Sequence, residues 1–129
     1  MKKTVLIAGV LLALFVSLVG AGAAYSAGLQ NITGEDLSAM MKKGDKLVIV
    51  DVREPELYAR GHIQGAINIP YDYAKPRILK ELSSKDTIVF VCHSGPMGVE
   101  LGDILVKNGY PLVYNVKGGM LRWRWGIVK

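Results

Sequence analysis

The chain has 129 residues, with 16 Lys and Arg against 11 Asp and Glu, 50% hydrophobic residues and a single cysteine. A net charge of +5 dispersed along the chain argues against nucleic-acid binding, which needs a concentrated basic patch. One cysteine excludes an internal disulfide framework, and the length excludes a second domain of ordinary size.

Met1-Lys2-Lys3 is a positive start, Val5 to Val19 is an apolar run interrupted by Gly9 and Ser17, and Gly20 to Ala27 is an exit of mostly small residues. This is the layout of a secretory signal peptide over residues 1–26, with small-residue cleavage frames after Ala23 and after Ser26. Extended to Ala24, the apolar stretch reaches about 20 residues, enough to stay in a bilayer as an N-terminal anchor. Either outcome exports the rest, to a bacterial periplasm or cell envelope, and limits membrane contact to this segment. Without Lys2 and Lys3 the charge balance is 14 to 11, a mild basic excess compatible with small anionic substrates.

Gly28 to Asn31 reads as a short tether leading into one domain over residues 29–129. Thr33 caps a helix, with Asp36 at the return position of a capping box, Leu37, Met40 and Met41 on the apolar face and Gly44 at the end. Leu47–Val50 is an apolar strand. Pro55 opens a helical turn ending at Arg60, and Ala66–Ile69 is a brief strand closed by Pro70. Pro76–Leu82 reads as a helix and Ile88–Val91 as a buried strand. Val99–Lys107 reads as a helix with Leu101, Ile104 and Leu105 on one face and Gly109 as its cap. Leu112–Val116 is the last strand, Gly118-Gly119 a tight turn, and Met120–Trp125 a final helical turn. Short apolar strands alternating with helices predict an α/β, three-layer domain, a mostly parallel sheet with helices on both faces.

Cys92 follows the Ile88–Val91 strand, and His93, Ser94, Gly95, Pro96, Met97 and Gly98 form the turn into the next helix. Backbone N–H groups and a helix N-terminus around a thiol favour the thiolate, its nucleophilic form. Asp51, Cys92 and Lys117 all fall at the carboxyl ends of strands, where ligands bind in open α/β sheets. In an oxidising compartment a lone thiol is inert and buried, or it is used.

The stretch from Asp51-Val52-Arg53-Glu54-Pro55-Glu56 through Gly61-His62-Ile63-Gln64-Gly65-Ala66 to Pro70 resembles the first signature of rhodanese-like domains. Tyr114 to Met120 with Trp123 resembles their closing segment, and Cys92 lies between the two, where the family keeps its catalytic cysteine. The resemblance implies a single-domain sulfurtransferase of the rhodanese fold. Its cysteine would take a sulfane sulfur from thiosulfate or a persulfide, hold it as a persulfide, and pass it to a thiol or cyanide. The implied protein works as a monomer, with Cys92 as nucleophile, residues 93–98 as the substrate-binding loop, and no metal or organic cofactor. Loops of thiosulfate-using relatives often carry arginine one and five residues after the cysteine; here those positions are His93 and Met97. The alternatives are a non-catalytic module of this fold that binds a partner or senses sulfide, and a redox sensor using the lone thiol. A phosphatase or arsenate reductase of this fold is excluded, because Gly98 stands where its oxyanion-clamping arginine would be.

Other residues invite structural readings. His62 is expected to be a hydrogen-bonding group, Arg53 to pair locally with Glu54 and Glu56, and Asp51 to accept backbone N–H groups of the following loop. Arg122-Trp123-Arg124-Trp125 is expected to pack its rings on the body and leave its guanidinium groups wet.

Overall fold

The computed structural model describes residues 28–129, so the leader and its cleavage frames lie outside the described residues. The elements in order are β1 (Leu29–Ile32), α1 (Gly34–Lys43), β2 (Leu47–Asp51), α2 (Pro55–Arg60), β3 (Ile67–Asn68), α3 (Tyr71–Glu81), β4 (Thr87–Val91), α4 (Pro96–Lys107) and β5 (Val113–Val116). A 3₁₀ turn, Gly119–Arg122, follows. The five strands form one all-parallel sheet in the order β1-β5-β4-β2-β3, with β4 in the middle.

Side-chain alternation along the strands sorts the core into two layers. Val50, Ile88, Phe90 and Val113 point to the face covered by α3 and α4, where they meet Ala74, Ile78, Leu101 and Leu105. Ile49, Val89, Val91 and Val116 point to the other face, against Leu37 of α1, Ile63, Ala66 and Trp123. Strands buried on both faces need continuous apolar runs, which is why Leu47–Val50 and Ile88–Val91 lack the polar alternation of a half-exposed strand. The parity also sets the cysteine's direction: Cys92, two residues beyond Phe90, joins the α3/α4 layer.

Several boundaries differ from the sequence reading, three of them for a clear physical reason. Gly28–Asn31 is no tether, because Leu29–Ile32 is an edge strand in parallel register with Val113–Val116. Its Leu29 packs onto α4 at Gly102. The third helix starts at Tyr71 rather than Pro76 and carries Pro76 inside it. The burial of Ala74 and Ile78, one turn apart, offsets the hydrogen bond the proline cannot make. The fourth helix starts at Pro96, three residues before Val99, because Gly95 caps it and proline suits the first helical position.

Candidate active site

Cys92 is the first residue beyond β4, and its neighbours in the sheet diverge there. The chain leaving β2 turns into α2 and on to β3 at one edge; the chain leaving β4 turns into α4 and back to β5 on the opposite side. Helices leaving adjacent strands in opposite directions open a crevice at the strands' carboxyl ends. A cleft of about 610 Å³ lies there, walled by Arg53, Glu54 and Glu56 from the β2 side, Asp72 and Tyr73 from α3, and His93, Ser94 and Met97 from the cysteine loop.

The loop is built around the sulfur. Cys92 is only 1% exposed, and its Sγ accepts the Gly95 N–H at 2.9 Å. Gly95 has φ +127°, a conformation that side-chain-bearing residues rarely adopt, and it turns the N–H inward at the cap of α4. Behind the loop, Met120 N–H donates to the Cys92 carbonyl at 2.9 Å and Leu121 N–H to the His93 carbonyl at 3.1 Å. Gly119 makes this approach possible: a Cβ there would come within 2.3 Å of the Cys92 oxygen. The Gly118-Gly119 turn is therefore a backing plate for the cysteine loop.

The loop residues divide by exposure. Gly95 and Gly98 are buried with Cys92, whereas His93, Ser94, Pro96 and Met97 are exposed, Met97 by 41%. Thus Cys92 and Gly95 are brought into contact, while His93, Ser94 and Met97 form the rim above them. The Met97 position offers no cation to the cleft.

Arg53 departs from its expected role. It is 8% exposed and pairs with the fully buried Asp51, through Nη2 to Oδ2 at 2.7 Å and through Nε to both carboxylate oxygens. Its Nη2 also donates to the Gly61 carbonyl at 2.8 Å, so one guanidinium ties the end of β2 to the end of α2. Glu54 and Glu56 stay exposed on the cleft wall. The signal available was Asp51 itself: a carboxylate at the end of a doubly buried strand needs a partner, and the only cation two residues away is Arg53. Asp51 does accept the Arg53 N–H at 3.0 Å, as expected of a carboxylate at that strand end.

The other structural readings agree with the geometry except at Trp125, which is 40% exposed rather than buried on the body. His62 Nδ1 donates to the Tyr58 carbonyl at 2.9 Å, and its ring stacks on Tyr58 at 3.7 Å. Trp123 is buried and donates its indole N–H to Gly126, while Arg122 and Arg124 remain exposed. Sequence reasoning did not connect Lys117 with Arg122. The fold places both, with Trp125, in a second cleft of about 600 Å³ that meets the cysteine loop at Ser94.

A parallel five-stranded sheet with a lone cysteine cradled between its central strand and a helix defines an α/β protein of the rhodanese class. Residues 33–124 match the Rhodanese-like domain family model, and the chain belongs to that family. It is 41% identical over 70 residues to the thiosulfate sulfurtransferase PspE of Escherichia coli, covering 54% of this chain and 67% of that protein. It is 30% identical over 108 residues to a thiosulfate:glutathione sulfurtransferase of Saccharomyces cerevisiae, covering 74% of this chain and 78% of that protein. A rhodanese-like domain protein of Staphylococcus aureus superposes with a TM-score of 0.69 at 31% identity, covering 77% of this chain and 96% of that one.

Proposed function

We propose that this chain is an exported sulfurtransferase that carries sulfane sulfur on Cys92. The observation that carries the proposal is the Cys92 sulfur at the carboxyl end of the central strand, accepting the Gly95 N–H where α4 begins. Such a cradle suits an anionic sulfur, both the attacking thiolate and the persulfide that replaces it. With thiosulfate as donor, the Cys92 thiolate attacks the outer sulfur and forms a new S–S bond. The bond to the sulfonate sulfur breaks, and sulfite leaves with that electron pair. An acceptor thiolate or cyanide then attacks the outer sulfur of the persulfide and leaves with it, regenerating the Cys92 thiolate. No proton or external electron is consumed. The relatives named as sulfurtransferases favour this reading over a non-catalytic module of the same fold.

Residues 93–98 would form the substrate rim. With His93 and Met97 where arginines often stand, a small dianion loses a charged partner worth about 1–3 kcal/mol, a tenfold to hundredfold drop in affinity. Persulfide donors, which need no sulfonate clamp, gain relative to thiosulfate.

Intact-mass measurement of the purified protein after exposure to thiosulfate, polysulfide or glutathione persulfide tests the reading. The expected result is a gain of one sulfur atom that is absent in Cys92→Ser. No gain from any of the three donors rejects it. Export is tested separately, by fractionating cells and determining the mature N-terminus; a protein retained in the cytoplasm would exclude it.

A further inference from the structure

The cysteine loop separates two clefts of opposite electrostatic character. On the β2 side the exposed carboxylates are Glu54, Glu56 and Asp72, and the arginine lining that cleft, Arg53, is already committed to Asp51. On the β5 side the cleft holds Lys117 and Arg122 against a single carboxylate, Glu35. Neither Lys117 nor Arg122 is in an ion pair among the described residues. Ser94 borders both clefts.

The basic side is built close to the sulfur. Lys117 leaves β5 with its N–H donated to the Ile32 carbonyl at 2.7 Å, which anchors its backbone between β1 and the loop. The next residue, Gly118, has its nitrogen 3.6 Å from the position of a Cβ on Gly95, the residue whose N–H holds Sγ. Arg122 folds its stem back over Gly118; a Cβ at that glycine would lie 2.4 Å from Arg122 Cδ. The missing side chain at position 118 thus lets Arg122 lie across the turn and into the cleft. Trp125 forms an apolar wall.

We propose that the Lys117–Arg122 cleft seats the anionic group of the sulfur compound that reacts at Cys92, in place of cations on the cysteine loop. The proposal rests on the sulfur-transfer reading for its purpose, and deepens it by naming the side of entry and the ligand class: a low-molecular-weight sulfur compound carrying a sulfonate or carboxylate. An anion entering from the other side would meet three carboxylates, whereas here it meets two cations and one carboxylate, Glu35. The sulfonate of thiosulfate and the carboxylates of a peptide thiol share this chemistry. Glu35 additionally suits the ammonium of a zwitterionic peptide thiol.

Equilibrium binding to Cys92→Ser, which cannot transfer sulfur, tests the cleft independently of catalysis. Thiosulfate and glutathione are titrated separately, with backbone amide chemical shifts as readout. At least one of them should shift Ser94, Lys117 and Gly118, and the double variant Lys117→Gln/Arg122→Gln should weaken that binding tenfold or more. Lys85→Gln, which removes a charge before β4 at the opposite end of the sheet, should leave it unchanged. Thiosulfate alone would identify a sulfonate seat, glutathione alone a carboxylate seat. Binding of neither, or equal affinity in the double variant, overturns the proposal. A second readout uses the unmodified cysteine: the ratio of Cys92 alkylation rates with iodoacetate and with neutral iodoacetamide should fall severalfold in the double variant. A constant ratio overturns the proposal too. If the chain gains no sulfur from any donor, the sulfur-transfer reading fails, while these two measurements still judge the cleft.

Discussion

Gly98 and Asn115 are matched by size beneath the cysteine loop. A Cβ on Gly98 would come within 2.0 Å of Asn115 Oδ1 and 3.1 Å of the Phe90 Cβ. Asn115 is 1% exposed; its amide N–H donates to Asn31 Oδ1 at 3.0 Å, and its own Oδ1 has no partner among the described residues. Gly98→Ala should therefore destabilise, with overpacking of about 1–3 kcal/mol outweighing the roughly 1 kcal/mol that alanine gains over glycine in a helix. Adding Asn115→Ala should recover much of the loss, because it removes both the clash and a buried acceptor left unpaired. Denaturant midpoints of the two single variants and the double variant check this; additive effects would contradict the size match. A neighbouring residue speaks to the donor. Met97→Arg should lower the Michaelis constant for thiosulfate by up to about tenfold, since it puts a cation at a rim position that now holds an uncharged side chain. Its effect on a neutral sulfur donor should be small. An unchanged or higher Michaelis constant for thiosulfate would show that Met97 does not limit anion binding.

At the scale of elements, the first helix behaves as its sequence says. Thr33 N–H donates to Asp36 Oδ2 and Asp36 N–H to Thr33 Oγ1, both at 3.0 Å, and Gly44 caps the other end in the left-handed conformation. Thr33→Ala should cost about 1 kcal/mol. The Thr33 backbone N–H, and then its hydroxyl, hold the Asp36 carboxyl below its ordinary value of 3.8. The box therefore contributes fully above 3.8 and is lost as pH falls through the lower folded-state value. Urea midpoints of wild type and Asp36→Asn should differ at neutral pH and converge on the acid side; a gap that persists in acid would refute the assignment. Local patterns such as this box, and the doubly apolar β2 and β4, are legible because neighbouring residues carry the whole signal. The turn holding Cys92 and Gly95 is legible for the same reason. The start of α3 is not, because Pro76 reads as a boundary and only the burial of Ala74 against the sheet overrides it. The Arg53–Asp51 pair is signalled only by the place of Asp51 at the end of a doubly buried strand, and the Lys117–Arg122 cleft depends on a stem folding back over Gly118.

The whole molecule is closed by segments that the family match leaves out. The match spans 33–124, yet β1 precedes it, and the tail after it returns to pair Val128 with His62 through backbone hydrogen bonds of 2.9 Å in both directions. β1 covers the open edge of β5, holds the Lys117 N–H through Ile32, and lays Leu29 on Gly102 of α4. Its sequence hides this role, because Gln30 and Asn31 look like linker and only Leu29 and Ile32 carry apolar surface. A protein beginning at Gly28, the first described residue, is the reference. A protein beginning at Thr33 should be less stable by about 3 kcal/mol or more: it exposes two aliphatic contacts and leaves a row of β5 backbone groups unpaired. That loss is a large share of the roughly 5–15 kcal/mol that holds a domain of this size. The effect should reach the site as well. Lys117 loses its backbone anchor, so the ratio of Cys92 alkylation rates with iodoacetate and with iodoacetamide should fall even where the shortened protein remains folded. Equal denaturant midpoints for the two starts would return β1 to the status of a tether. A lowered midpoint with an unchanged alkylation ratio would confine its role to stability.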